Sequence, residues 1–239
     1  MPADLVIRGG TVFDGTGTPG RVADVAVTGG VIEAIGPTLD GSVELDASGC
    51  AVAPGFIDIH THFDAQVFWD PELKPSSYHG VTTVVAGNCG FSIAPCRPEH
   101  HDVIVHTLEN VEGMDADSLT AGIDWEFETF PDYLDLVHRR GTSLNFTAYI
   151  GHTALRLYVM GDAAYERAAS PEEIERMCQL VDEAMAVGAA GLSTSFSFAH
   201  RGVDGKPVPS RFAAADEVEA LFVAAGEAGK GVVLITPGE

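Results

Sequence analysis

Apolar and polar residues follow two rhythms along this chain, and the change between them comes at Pro54. Over residues 4 to 52, short β-rich runs (Leu5-Val6-Ile7-Arg8, Ala23-Asp24-Val25-Ala26-Val27, Val31-Ile32-Glu33-Ala34-Ile35) are broken by Gly9-Gly10, Asp14-Gly15, Gly29-Gly30 and Asp40-Gly41. Turn signals this closely spaced predict a small antiparallel sheet. From Pro54 onward the pattern becomes strand, loop, helix. Apolar runs at 56-60, 81-86, 144-150, 190-195 and 231-236 predict strands with helical patterns between several of them, as in βα units on a parallel sheet.

The best-defined helix starts at Ser170-Pro171-Glu172-Glu173, where Ser170 suits the N-cap, Pro171 the first helical position and Glu173 a capping box. Its residues Ile174, Met177, Cys178, Val181 and Met185 form one apolar stripe that would face the sheet, which places Cys178 in the core. Further helices are predicted near 214-228, near 131-140 ending at Gly141, and through 99-112. The remainder of 97-130 reads as a loop over the mouth of a barrel.

Chemistry concentrates where the second rhythm begins. Pro54-Gly55-Phe56-Ile57-Asp58-Ile59-His60-Thr61-His62 closes an apolar run with two histidines one residue apart. Residues i and i+2 of a strand share a face, so His60 and His62 would project toward one metal ion; alone, the pair also fits a core or surface role. The run Val81 to Ala86 ends in Gly87-Asn88-Cys89-Gly90. Thiolate and imidazole both suit zinc, so two strand ends would offer a cluster of His60, His62 and Cys89, with a buried, inert Cys89 as the alternative.

Other polar residues stand at strand ends, where a barrel places its functional groups. His152 could hydrogen-bond a substrate or a metal-bound group and Arg156 could pair with a carboxylate, or both could tie a loop. Asp64 could contact substrate or orient a loop, and His200 is a possible further ligand. Ser193-Thr194-Ser195 lacks a Gly-x-Ser-x-Gly elbow and an adjacent base, so it is discounted as a nucleophile. His79, His100, His101, His106 and His138 read as surface or loop residues.

Composition narrows the partners. A formal net charge of -22, from 35 acidic against 13 basic residues, opposes nucleic acid and anionic membrane surfaces. Met1-Pro2-Ala3-Asp4 has no basic segment leading into an apolar one, and no apolar run approaches the ~18 residues of a membrane span, so a soluble cytoplasmic protein is expected. Cys50, Cys89, Cys96 and Cys178 are too few and too scattered for a disulfide scaffold. A (β/α)8 barrel needs about 250 residues, and in this chain of 239 the barrel pattern starts only at Pro54, so an incomplete barrel is expected.

These motifs resemble the amidohydrolase superfamily. The stretch ending in His60-Thr61-His62 is similar to its first barrel strand. Gly80-Val81-Thr82-Thr83-Val84-Val85-Ala86-Gly87-Asn88-Cys89-Gly90 is similar to the second strand of its D-aminoacylase (N-acyl-D-amino-acid deacylase) branch, where a cysteine binds metal. Gly151-His152-Thr153-Ala154-Leu155-Arg156 and Gly188-Ala189-Ala190-Gly191-Leu192-Ser193-Thr194-Ser195 extend the likeness along the chain.

The resemblance implies an α/β fold: a metal-dependent hydrolase TIM-type (β/α)8 barrel, of which residues 54-239 supply about five strands, preceded by part of a β-sandwich domain in residues 1-53. It implies one or two zinc ions, His60 and His62 on one and Cys89 on a second, tighter one, with a general-base Asp on an eighth strand beyond residue 239. At the end of the fifth strand, where that branch shows a His followed two residues later by Arg, this chain reads Thr236-Pro237-Gly238-Glu239. The implied activity is hydrolysis of a linear amide, an N-acyl-D-amino acid or related small molecule, by metal-activated water. The alternatives are a cyclic-amide hydrolase of the dihydroorotase or hydantoinase kind and a non-catalytic scaffold with a degraded metal site. The former usually bridges its metals with a carboxylated lysine, and none of Lys74, Lys206 and Lys230 stands at the end of a predicted strand. The chain by itself is expected to be inactive.

Overall fold

A computed structural model describes residues 1–229 and 231–238; Lys230 and Glu239, both named above, lie outside the described residues. The chain divides into two compact units, Met1–Gly55 and Phe56–Glu239.

In the first unit, β1 (Ala3–Val12) is flanked by β2 (Arg21–Thr28), which pairs in turn with β3 (Val31–Gly36). Both pairings are antiparallel, and Gly29-Gly30, at φ 57° and 77°, makes the tight turn of the β2–β3 hairpin. The sheet is not wholly antiparallel as expected. β4 (Gly41–Asp46) and β5 (Ala51–Val52) both run parallel to β1. One edge of β1 is already taken by β2, so the chain leaving β3 crosses over and returns along the other edge in the direction of β1. Asp40-Gly41, read as a hairpin signal, is the entry to β4 after that crossover. Two small buried clusters form, one of Val6 and Ala26 and the other of Val12 and Val25, while Val31, Ile32, Val43 and Leu45 stay exposed.

The second unit holds a parallel sheet in which neighbours in sequence are neighbours in space: β6 (Phe56–Asp58), β7 (Val81–Ala86), β8 (Asn145–Gly151), β9 (Gly191–Ser195) and β10 (Val232–Thr236). This is the winding of a barrel wall. The outer strands carry exposed apolar residues, Phe56 and Ile57 on β6 and Val232 and Ile235 on β10.

Among the described residues six α-helices connect or cover the strands: α1 (His101–Glu112), α2 (Ala116–Gly122), α3 (Phe130–Arg140), α4 (His152–Met160), α5 (Pro171–Ala186) and α6 (Ala215–Glu227). α5 carries the expected capping box between Ser170 and Glu173, and buries Met177 and Val181 from its stripe while Cys178 is partly buried. Two helices depart from expectation. The supposed loop after α1 contains α2, started by Asp115, whose side chain accepts from the Ser118 N–H at 2.8 Å. α4 follows β8 directly, and its residues His152 to Tyr158 are all buried, so no amphipathic period marks it in the sequence. Among the described residues no helix is long and apolar enough to cross a membrane.

Candidate metal centre

β6 ends at Asp58, so His60-Thr61-His62 lies just past the strand rather than within it. Alternation nevertheless persists. The Thr61 N–H and hydroxyl both donate to the Val85 carbonyl, at 3.1 and 2.9 Å, which turns Thr61 into the interior. His60 and His62 therefore leave on the other side, with ring centroids 5.6 Å apart.

β7 runs into a turn that requires unusual backbone. Gly87 sits at φ 73°, and a Cβ there would lie 2.1 Å from the Tyr149 carbonyl oxygen, so only glycine fits. Cys89 itself sits at φ 55°, a left-handed conformation that costs a non-glycine residue roughly 1–2 kcal/mol. Hydrogen bonds with three side chains hold the turn. The Gly87 N–H donates to Asp64 Oδ2 at 3.0 Å, and the Gly90 N–H donates to Ser193 Oγ at 2.9 Å. Ser193 Oγ donates in turn to the Gly87 carbonyl. The Asn88 side-chain amide donates to both the Thr61 and Val85 carbonyls, each at 2.9 Å, and so ties the cysteine turn to the histidine segment.

The result is one cluster. Ligand atoms of His60, His62 and Cys89 all lie within 4.8 Å of one another, and Cys89 Sγ is 3.4 Å from His60 Nε2. Burial pushes His62 down to about 4, helped by the nearby charges of His60 and His200, so the imidazole is neutral and one ring nitrogen keeps a free lone pair. His62 Nδ1 is buried with no hydrogen-bond partner, and Nε2 lies 3.3 Å from Glu112 Oε1. Burial also raises the Cys89 thiol; a hydrogen bond with the Thr236 side chain draws it back, and the Glu112 charge raises it further. Two imidazoles and a buried sulfur fit a soft or borderline divalent ion, zinc above all, whose charge would deprotonate the thiol outright.

The remaining sequence candidates are enclosed instead of facing outward. Asp64 is 1% exposed and supports the Gly87 turn from below; burial pushes its carboxyl up to about 7, against the pull of the Gly87 N–H. His152 and Arg156, 1% and 0% exposed, both close on Glu217, which is 0% exposed. Arg156 Nη1 donates to Glu217 Oε1 at 2.6 Å and His152 Nε2 donates to the same oxygen at 2.8 Å, leaving Nδ1 to accept from the Thr194 hydroxyl at 2.8 Å. Burial holds His152 below its ordinary value although Glu217 opposes it. Burial raises Glu217, but the hydrogen bonds from His152 and Arg156 outweigh it and keep the carboxylate ionised. In this arrangement the Glu217 carboxylate is shared between His152 and Arg156, while Arg156 Nε is buried with no partner among the described residues. His200 stays outside the cluster, hydrogen-bonded through Nδ1 to Ser195 Oγ at 2.7 Å.

Sequence reasoning missed Glu112, Asn88, Ser193 and Glu217. Asn88 stood inside a quoted motif and Ser193 inside a discounted one. Glu217 lies 61 residues from Arg156 and 65 from His152, with no local signal.

Residues 43–238 match the model of an amidohydrolase family. The chain is 43% identical over 196 residues to a D-aminoacylase of Alcaligenes xylosoxydans xylosoxydans, covering 81% of this chain and 38% of that protein. It superposes with a TM-score of 0.77 and 35% identity on a D-aminoacylase solved to define the role of its binuclear metal centre, over 97% of this chain and 44% of that one. Against an N-acyl-D-glutamate deacylase of Bordetella bronchiseptica, solved with zinc and a phosphonate mimic of the tetrahedral intermediate, the TM-score is 0.79 at 32% identity, over 98% of this chain and 45% of that one. The chain thus spans less than half the length of these relatives.

Proposed function

The chain belongs to the amidohydrolase family, with a D-aminoacylase-type fold, and from that premise we propose that it supplies the metal-binding half of an enzyme that hydrolyses a linear amide. The substrate class we assign is an N-acyl-D-amino acid or a closely related small molecule. The observation that carries this reading is the convergence of His60, His62 and Cys89 past the ends of two adjacent parallel strands. In this reading residues 54-239 form the first part of a (β/α)8 barrel and residues 1-53 part of a β-sandwich.

Zinc bound there would polarise the amide carbonyl and lower the pKa of a bound water toward ~7. His60 and His62 would hold it through ring nitrogens and Cys89 through a thiolate. Asn88, Ser193 and Asp64 hold those donors in place before the ion arrives, because their hydrogen bonds go to the backbone on either side of the ligands. His152 and Arg156 act from within, steadying Thr194 and through it the end of β9. No residue of this chain is assigned as the general base that passes a proton to the leaving amine.

The test is metal analysis of the purified protein and of Cys89→Ala, with hydrolysis of a panel of N-acyl-D- and N-acyl-L-amino acids. The expected result is loss of bound zinc and of turnover together in Cys89→Ala, with the D-series cleaved by the wild type. A Cys89→Ala protein that keeps both full metal content and full activity removes Cys89 from the mechanism and leaves only a likeness of fold.

A further inference from the structure

We propose that His200 is a substrate-binding residue of this site: a neutral imidazole that donates from Nε2 to the carboxylate of the substrate, on a segment whose charge favours an anion. The inference rests on the hydrolase reading above and names the part of the chain that recognises the acid group.

Hydrogen bonding fixes which ring nitrogen carries the proton. Ser195 Oγ lies 2.7 Å from His200 Nδ1 and already accepts from the Ser197 N–H at 3.2 Å. Ser195 is 0% exposed, and among the described residues its hydroxyl has no acceptor besides Nδ1. Were Nδ1 protonated, that buried hydroxyl would be left unpaired at a cost of about 1–3 kcal/mol. Ser195 therefore donates to Nδ1. Burial holds His200 below its ordinary value, so the ring is neutral with its proton on Nε2. Among the described residues Nε2 has no hydrogen-bond partner, and unlike His62 Nδ1 it is not enclosed. Ser195 is too deeply buried to touch a substrate itself; it sets the ring.

The ring stands where a substrate would lie. His200 is in the segment between β9 and α6, past the carboxyl end of a parallel strand, where such sheets bind their ligands. It makes a T-shaped contact with Phe91, centroids 5.1 Å apart, and Phe91 directly follows the Cys89-Gly90 turn. A Cβ on Gly90 would lie 3.5 Å from the backbone N of Ser195, so the residue that holds the ring abuts the cysteine turn. The ring is also close enough to His62 for their charges to interact.

Charge singles out the same segment. Residues 196-214 carry Arg201, Lys206 and Arg211 against a single acid, Asp204, in a chain of net charge -22. Among the described residues of the second unit, the other cations are paired with carboxylates, save Arg97 over the Tyr158 ring; these three are not. Arg211 rests on the Phe198 ring at 4.7 Å, and Arg201 donates to the Gly205 carbonyl at 3.0 Å. Unpaired cations around a neutral donor make this the stretch of an acidic chain where an anion is least repelled. An N-acyl amino acid carries an α-carboxylate whatever its side chain, and that is the anion assigned to it.

The experiment takes the N-acetyl derivatives of D-leucine, D-methionine and D-aspartate, each as the acid and as its α-carboxamide, with wild type, His200→Phe and His200→Gln. It measures steady-state kinetics of the zinc-loaded protein, calorimetric binding to the metal-free protein, and zinc content. Wild type should bind the acids at least about 10-fold more tightly than the carboxamides. His200→Phe keeps a ring against Phe91 but has no donor. It should weaken binding of the acids and raise their KM by about 10–100-fold, the worth of a hydrogen bond to a charged group, with kcat, carboxamide binding and zinc content little changed. His200→Gln, with an amide donor, should recover part of the loss; if His200→Phe does not fold, His200→Leu carries the same expectation. An unaltered preference for the acids in the donor-free variant overturns the inference. So does a fall in kcat at constant KM, which would put Nε2 on the reacting carbonyl, or a loss of zinc, which would make His200 a metal ligand. A wild type that binds acid and carboxamide alike, or neither, overturns it too. A wild type that prefers the acids but cleaves none of these amides overturns the hydrolase reading and leaves this one standing.

Discussion

Replacing Glu217 with glutamine isolates the value of the buried network beneath β9. The guanidinium of Arg156 is wholly enclosed and cannot shed its charge at any accessible pH. In the native protein Glu217 neutralises it, and the carbonyls of Ala164 and Arg167 take further donors at 3.4 and 2.6 Å. Glutamine keeps the shape and one acceptor but removes the negative charge. Breaking a buried pair from one side costs about 3–5 kcal/mol, against a total stability of about 5–15 kcal/mol for a typical domain. For a unit of this size each kcal/mol moves Tm by about 2–4 °C, so a fall of about 6–20 °C is expected. Both tryptophans, Trp69 and Trp125, lie in the second unit, so intrinsic fluorescence during urea or thermal unfolding follows that unit selectively. The double variant Arg156→Met/Glu217→Leu, which removes both charges, should recover most of the loss. The reasoning is refuted if Glu217→Gln melts within 1 °C of wild type, or if the double variant is no more stable than the single one.

Asp64→Asn probes a carboxyl raised in the folded state to about 7 from an ordinary 3.8. A raised carboxyl favours the folded state fully below the unfolded value and loses that contribution as pH rises toward 7. The asparagine variant of the metal-free protein should therefore match wild type near pH 4 and gain on it progressively, by up to roughly 4 kcal/mol at pH 7 and above. Parallel stability curves from pH 4 to 8 would rule this out. Ser193→Ala removes both the acceptor for the Gly90 N–H and the donor to the Gly87 carbonyl, and should weaken zinc binding by about 10–100-fold while leaving metal-free stability within about 1–3 kcal/mol. Chelator competition measures it, and an unchanged affinity would mean the turn holds Cys89 without Ser193. Gly87→Ala should fail more completely, as its Cβ meets the Tyr149 carbonyl; normal yield of a zinc-binding Gly87→Ala protein would contradict the backbone argument.

The parallel strands were legible because each is a short apolar run bounded by turn residues, and α5 because Ser170, Pro171 and Glu173 spell out its start. α4 was not, because a helix buried on every side has no polar period to read. The His60, His62 and Cys89 donors announced themselves by residue type and local spacing. What holds them did not: Asn88 reaches back 27 residues to Thr61, and Ser193 reaches 103 residues to Gly90. Such contacts are set by the order of strands in the sheet, a property of topology. His152 and Arg156 were noticed as polar residues at a strand end, but their partner Glu217 lies on α6, and without it their enclosure could not be inferred. Glu112 was hidden for a different reason, as one acid among many in a strongly acidic chain.

Phe56 and Ile57 on β6 and Val232 and Ile235 on β10 stand exposed, and this shapes how copies of the chain behave toward one another. Exposed apolar side chains add adhesion between molecules that meet. What opposes self-association is long-range repulsion between molecules that each carry a net charge of -22. That protection is colloidal and therefore ionic-strength dependent: the screening length is about 8 Å at physiological salt and about 3 Å at 1 M. Concentrated salt, which leaves the buried network and the ligand cluster nearly untouched, thus removes the barrier that keeps these apolar side chains from meeting those of another copy.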